Sequence, residues 1–394
     1  MYDIAIIGGG PVGLAFALSL AGSGLRLALI EKQPEGALAD PAFDGREIAL
    51  THHSRSVMER LGAWAALPEG AVSPLNSARV LNGRGPQGLA FTAPPAVAGQ
   101  PLGFLVPNHL IRRSLYGRFA EEAPADLFAG VALDRFSIDD DGAALHLGDG
   151  REIAARLIVA ADTRFSATRA AAGIGAIRHD FKRSMLVCRM THAAPHHETA
   201  TEWFAYGQTV ALLPVNGGIS SVVITRSAEE IAALMAMDET AFEAEMARSL
   251  ARRHLGPLKL VSTRHAYPLV ATYARRFAAR RFALIGDAAV GMHPMTAHGF
   301  NLGLSGAALL AEGIRAAGDG FAAPVTLRRY EAAHRRASFP LFAGTNAIAT
   351  LYSKESAPAL LARHAVIGLG AALPPARRII SAMLTDRRER QAAA

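Results

Sequence analysis

The stretch YDIAIIGGGPVGLAFALSLAGSGLRLALIEK, Tyr2 to Lys32, constrains the fold more than any other part of the chain. Its first apolar run, Ile4 to Ile7, lacks polar alternation, which predicts a strand buried on both faces, as in a parallel sheet. Gly8-x-Gly10-x-x-Gly13 follows, then a small-residue helix to Leu20, then a second apolar run, Leu25 to Ile30, closed by Glu31. Strand, glycine turn, helix, strand and acid in that order form a dinucleotide fingerprint. Gly8 permits the tight turn, Gly10 lets a pyrophosphate approach the backbone, and Gly13 lets helix and sheet pack closely. Pro11 and Val12 start the helix, whose N-terminus offers amide donors and a positive dipole end to phosphates. Glu31, eighteen residues past Gly13 and followed by Lys32, stands where a carboxylate accepts two hydroxyl protons of an adenosine ribose. A glycine turn that only packs would leave that acid unexplained. The fingerprint alone does not choose between NAD and FAD.

Two further segments repeat the form of an apolar strand ending in an acid. LIVAADTRFSATR (Leu157 to Arg169) delivers Asp162, and RFALIGDAAVGMHPM (Arg281 to Met295) delivers Asp287. Ligands of open parallel sheets bind at the carboxyl ends of the strands. Three such acids are too many for one NAD and suit a longer cofactor lying across the sheet.

Together these motifs resemble the FAD-dependent aromatic-ring hydroxylases of the p-hydroxybenzoate hydroxylase group. DGREIALTHHSRSVMERLGAW (Asp44 to Trp64), FLVPNHLIRRSL (Phe104 to Leu115) and HPMTAHGFNLGL (His293 to Leu304) are similar to the ubiquinone-biosynthesis hydroxylases within it. TAHGFNLGL and PLFAGTNAIATLY (Pro340 to Tyr352) resemble the broad-specificity UbiM-type subgroup. The resemblance runs from Asp3 to about Arg378. It implies FAD as cofactor, NAD(P)H as transient reductant and O2 as co-substrate, with oxygen added at flavin C4a and then passed to a phenolic ring. The substrate it implies is a polyprenyl phenol or quinol intermediate.

The same resemblance assigns site residues. Asp287 would bond the ribityl hydroxyls, and the turn Pro294 to Asn301, with His298, Gly299 and Phe300, would aim backbone amides at the flavin's pyrimidine edge. Negative charge near N1 of a reduced flavin is stabilised by amides at a helix N-terminus, and Gly299 permits the approach. Arg46 would lie near flavin and pyrophosphate, with Asn108 and Arg112 facing the same cofactor. His293, Pro294 and His298 are the catalytic candidates, His293 for proton handling, and no catalytic residue is assigned beyond them. Three departures stand out: Thr163 follows Asp162 where glycine is usual, Ala297-His298-Gly299 replaces Gly-Gln-Gly, and Gly306 replaces a common Asp. Two other readings use the same scaffold: a halogenase or prenyl reductase, and a non-catalytic flavin-binding scaffold in a quinone-biosynthesis complex. Neither Trp64 nor Trp203 lies in the Trp-x-Trp-x-Ile-Pro stretch of the halogenases.

Composition narrows the partners. Lysine and arginine exceed the acids by +7, which attracts anions such as nucleotide phosphates and acidic lipid headgroups. The arginines come as scattered pairs without interleaved aromatics, which argues against nucleic acid. Hydrophobic residues at 51% and charged ones at 19% describe a globular chain. The single cysteine, Cys188, forbids an internal disulfide and points to a reducing, cytoplasmic location. It reads as a small buried hydrophobe. No His/Cys/Asp cluster has metal-ligand spacing, so no metal is expected.

The expected architecture is α/β: a Rossmann-like FAD-binding domain with a parallel sheet, interleaved with a mostly antiparallel substrate domain and followed by C-terminal helices. The cofactor domain is discontinuous, 1–74, 101–176 and 273–325, and residues 75–100 and 177–272 form the sheet that roofs it. GQTVALLPVNGGISSVVITR (Gly207 to Arg226) alternates like a hairpin with its turn at VNGG. Residues 326–394 read as helical. Arg-flanked apolar helices such as PALLARHAVIGLGAALPPARRIISAML (Pro358 to Leu384) fit either peripheral attachment at the cytoplasmic membrane face or packing on the main body or a second copy. Association with a quinone-biosynthesis complex or a homo-oligomer is left open.

Overall fold

Continuous apolar strands demand cover on both faces, and the chain supplies it by threading one sheet between helices. The computed structural model describes residues 1–83, 88–93, 99–205, 207–354, 356 and 363. Five parallel strands run in the order Phe282–Leu284, Glu152–Ala160, Tyr2–Ile7, Leu27–Glu31 and Asp126–Ala129. Antiparallel strands extend this sheet, Ala278–Ala279 at one edge and Leu133–Ile138 with Ala143–Leu147 beside Glu152–Ala160. The helix Pro11–Ser19 is buried along most of its length and packs against Asn108–Glu122 and Gly299–Ala317. Its small side chains allow that crowding, since no face of it meets water. The second strand starts at Leu27 rather than Leu25, after the chain turns through Gly22 and Gly24 at φ +70° and +79°.

A second sheet of nine strands carries the half-buried alternation seen in the sequence. It runs from Val290–Gly291 through His265–Ala274, Ala176–His192, Ile219–Ser227, Thr209–Val215, Thr199–Phe204 and Ser77–Asn82 to Gly88–Thr92, with Leu258–Leu260 also pairing with Ala176–His192. All pairings are antiparallel except Thr199–Phe204 with Ser77–Asn82. The outer face is sealed by the helices Ala228–Ala236 and Glu239–Leu250, where Cys188, Trp203, Ile224, Phe242 and Met246 form one apolar cluster. The turn at VNGG joins Thr209–Val215 to Ile219–Ser227 with Gly217 and Gly218 at φ +79° and +72°, a geometry that fits a two-glycine hairpin.

A three-stranded sheet, Glu47–Leu50, Gly103–Pro107 and Ser73–Leu75, packs against Thr209–Val215 of the second sheet. Buried Glu47 binds Arg189 of the second sheet at 2.6 Å and so joins the layers. The helix Pro324–Ser353 packs on Gly299–Ala317 and contains Pro340. Pro358 to Leu384 lies outside the described residues, apart from Arg363. Among the described residues, no helix is long and apolar enough to cross a membrane.

Candidate functional site

The glycines of the first loop have different surroundings. A Cβ on Gly13 would stand 2.0 Å from the Gly8 carbonyl oxygen, and one on Gly8, at φ +113°, would meet the Ala161 oxygen at 2.7 Å. Both positions are closed by protein. Gly10 has nothing within 4 Å, so the loop is open at the helix N-terminus, where amides can meet an anion. Val12 touches the space around both Gly286 and Gly303, which draws the first helix, the Asp287 turn and the late helix to one point.

Glu31, Asp162 and Asp287 all stand at carboxyl ends of parallel strands. Three interstrand steps separate the Glu31 strand from the Asp287 strand, about 14 Å at roughly 4.8 Å per step. Glu31 is buried and accepts from the Gly9 amide at 2.7 Å and the Gln33 amide at 2.8 Å. Lys32, beside it, points to solvent. Oδ2 of Asp162 accepts from the Thr168 amide at 3.4 Å, whereas its Oδ1 is buried with no partner. A buried acceptor without a donor costs free energy until a ligand hydroxyl or amide fills it. Thr163 is tolerated where glycine is usual because its φ is not positive, and its hydroxyl accepts from the Phe165 amide at 3.2 Å.

Asp287 has a protein partner that the motif did not announce. Its Oδ2 accepts two bonds from Arg164, at 2.9 and 3.2 Å, and the same guanidinium donates to the Val270 carbonyl of the second sheet at 2.9 Å. Arg169, buried, donates to the Ala288 carbonyl at 2.8 Å and fixes the two strand-end turns to each other. Both arginines stand in the sequence a few residues past Asp162, in the polar segment Asp162 to Arg169, but nothing there names their partners.

Arg46 and Asn108 converge, and the residue that joins them is Asp44, which sequence reasoning missed. Asp44 binds Arg46 at 2.5 Å and accepts from the Asn108 amide at 2.7 Å. Burial would raise its carboxyl, but the Arg46 charge and these hydrogen bonds outweigh burial and hold it below the ordinary value. Arg46 also lies 5.4 Å from the centroid of the Tyr267 ring. Arg112 donates to Gln33 at 3.3 Å, next to Glu31, so it stands at the nucleotide end of the cleft.

The Asn301 side chain is consumed by protein: Oδ1 accepts from the Thr51 amide at 3.2 Å, and Nδ2 donates to the Ala49 and Ala297 carbonyls at 2.8 and 3.0 Å. It therefore staples the turn to the strand Glu47–Leu50, and only its backbone is left for a cofactor. Pro294 is exposed, Ala297 turns the chain at φ +53°, and buried His298 precedes the helix Gly299–Ala317. A Cβ on Gly299 would meet only Met292, at 3.7 Å. Phe300 packs on the main core. His293 accepts from the Met295 amide at 3.2 Å and meets the Phe181 ring edge-on at 4.6 Å. Burial, with the charges of Arg164 and His179, pushes it down to about 4, so it is a neutral cap at neutral pH. Gly306 is explained by His334, whose Nε2 would lie 2.7 Å from an added Cβ.

These residues fit an FAD. The open Gly10 position suits a pyrophosphate, the Asp162 Oδ1 lacks a donor, and Arg46 and Arg112 supply positive charge beside the cleft. Among the described residues no group of three His, Cys, Asp or Glu side chains could hold a metal.

Comparison with known proteins agrees. The family model described as FAD binding domain matches residues 1–340. A ubiquinone hydroxylase, UbiM, of Neisseria meningitidis is 44% identical over 97% of this chain and 84% of its own length. The ubiquinone hydroxylase UbiL of Rhodospirillum rubrum is 34% identical over 96% of this chain and 88% of its own. Among solved structures, p-nitrophenol 4-monooxygenase from Pseudomonas putida superposes with a TM-score of 0.78 over 99% of both chains at 18% identity, which establishes the shared fold. The chain therefore belongs to the FAD binding domain family, in its ubiquinone-hydroxylase branch.

Proposed function

We propose that this protein is an FAD-dependent, NAD(P)H-using monooxygenase that hydroxylates the aromatic ring of a polyprenyl phenol or quinol intermediate of ubiquinone biosynthesis. The observation that carries this reading is the convergence of Glu31, Asp162 and Asp287 on one sheet edge, with a partnerless Asp162 oxygen beside an open glycine loop. The relatives named ubiquinone hydroxylases supply the substrate class.

In this reading the flavin, when bound, supplies the two-electron and oxygen-activating chemistry. The protein's task is to bind, orient and exclude water. Glu31 would accept the ribose hydroxyls, the amides of Gly10 and Val12 would meet the pyrophosphate, and Arg112 and Arg46 would balance its charge. Asp287, oriented by Arg164, takes the ribityl hydroxyls. Backbone amides between Pro294 and Asn301 face the pyrimidine edge, held there by the Asn301 staple. His293, neutral and used as a cap, is assigned no proton step. Segments 1–74, 101–176 and 273–325 form the cofactor domain and 75–100 and 177–272 the substrate domain, with the helix Pro324–Ser353 following them. The same reading places the protein in the cytoplasm at the membrane face, where prenylated substrates reside, in contact with a quinone-biosynthesis assembly.

The test uses purified protein loaded with FAD, a prenylated phenol, NADH or NADPH, and labelled O2. Phenol-stimulated oxidation of the nicotinamide, with one labelled oxygen in the product, is the expected result. A bound flavin that neither nicotinamide reduces would instead favour a non-catalytic scaffold.

A further inference from the structure

The inner face of the second sheet holds a carboxylate that none of the cofactor contacts uses. Glu202 lies on the strand Thr199–Phe204, in register with Val80 on one side and Ala211 on the other. Strand alternation sends Trp203 outward into the helix-covered cluster, so Glu202 and Phe204 point the opposite way. On that side Phe204 belongs to an apolar cluster with Leu89, Phe91, Val80, Tyr352 and Met295. Met295 is part of the turn that faces the flavin in the proposed reading. The cluster is thus the wall between the antiparallel sheet and the cofactor turn.

Two polar groups interrupt this wall, and both lack partners. Among the described residues the Glu202 carboxylate makes no hydrogen bond or ion pair. Asn82, which faces Phe204 across the strand pair and is 8% exposed, has a buried Nδ2 without an acceptor. Diagonal neighbours on one sheet face lie close enough to share a small ligand. The buried Asn82 donor carries a cost that a bound oxygen removes, and part-buried Glu202 beside it offers an acceptor to the same ligand.

We propose that Glu202 is a catalytic residue that takes the proton of the substrate's phenolic hydroxyl, with Asn82 donating to the same oxygen. This rests on the flavin-monooxygenase reading above. The phenol O–H bond breaks and its proton passes to the Glu202 carboxylate, which leaves the electron pair on the ring oxygen. That pair drives the ring carbon to bond one atom of O2. The other atom leaves as water, with both electrons drawn from NAD(P)H. The ring carbon then loses its hydrogen as a proton, and Glu202 returns its own proton to the ring oxygen.

Burial matches the group to this task. It pushes the carboxyl up to about 8, and no charged neighbour contributes to the shift. A phenol near 10 and an ordinary carboxyl of 4.5 are mismatched by more than five powers of ten, whereas here the mismatch is about two. The apolar neighbours Val80, Ala211 and Met295 carry no charge. Among the described residues the titratable group facing the cluster is the Tyr352 phenol, its ring tilted against Phe204 at 3.9 Å between centroids and its phenol pushed up to about 12 by burial, with Arg363 beyond it.

The test compares wild type, Glu202→Gln and Glu202→Asp, all as FAD-loaded protein with 2-prenylphenol as probe. FAD retention and flavin reduction by NAD(P)H report the underlying reading. The fraction of nicotinamide oxidation that ends in hydroxylated phenol reports Glu202. Expected is a loss of at least tenfold in that fraction for Glu202→Gln, with hydrogen peroxide in its place, and partial recovery in Glu202→Asp. In wild type, product formation rises with pH up to about 8, and Glu202→Gln loses that limb. Equal coupling and an unchanged pH profile in Glu202→Gln, beside an active wild type, would overturn this proposal alone. A wild type that reduces no flavin and hydroxylates no phenol would overturn both.

Discussion

Replacing Asn301 by aspartate changes two donors into acceptors at a site only 3% exposed. Oδ1 still accepts from the Thr51 amide, but the oxygen replacing Nδ2 now faces the Ala49 and Ala297 carbonyls at 2.8 and 3.0 Å. At low pH the neutral acid restores one donor, and the loss is about 1 kcal/mol for the one carbonyl left unpaired. Ionisation sets a buried carboxylate against two carbonyl dipoles, so the folded state keeps the new proton to higher pH than the unfolded chain does. The sign follows from that: the neutral form's stability is fully present below the unfolded value of about 3.9 and is lost as pH rises towards the folded one. The slope reaches about 1.4 kcal/mol per pH unit. By pH 8 the deficit should reach about 3–5 kcal/mol, the range for an uncompensated buried charge. Urea unfolding followed by circular dichroism at about pH 3.5, below the unfolded value, and at pH 8 measures both numbers, and flavin release reports the displaced turn. A deficit under about 0.5 kcal/mol at pH 8, or one equal at the two pH values, would refute the staple.

Glu31→Ala should weaken FAD binding by about 1–3 kcal/mol, since a charged hydrogen bond to the ribose is lost. An unchanged flavin fluorescence titration would remove Glu31 from the site. Gly306→Ala sets a helix-propensity gain of about 1 kcal/mol against an overpacking cost of about 1–3 kcal/mol at the His334 ring. Overpacking wins, so the protein loses stability, and the same change should become favourable in a His334→Ala background; a stabilised Gly306→Ala protein with His334 in place contradicts this. Cys188 is fully buried, and burial pushes its thiol up to about 12. It should resist maleimide at pH 8 until the protein is unfolded in urea, and rapid labelling of the native protein would count against the assigned core position.

The parts of this protein set by local rules were readable from its sequence. Unbroken apolar runs marked the buried strands near Ile4, Leu27 and Leu157, because a strand covered on both faces leaves no other pattern. The three strand-end acids were also visible, since each closes an apolar run: Glu31 is the last residue of its strand, and Asp162 and Asp287 follow theirs by two and three residues. What each acid meets was not visible. Arg164 reaches Asp287 across 123 residues of chain, Asn301 reaches Thr51 across 250, and Asp44 joins Arg46 to Asn108 only when the three-stranded sheet forms. Such contacts have no sequence period, so they exist only once the layers have packed. Glu202 shows the same limit: alternation identifies its strand, but its inward direction, its lack of a partner and its raised proton affinity are decided by what the opposite face and the late turn place around it.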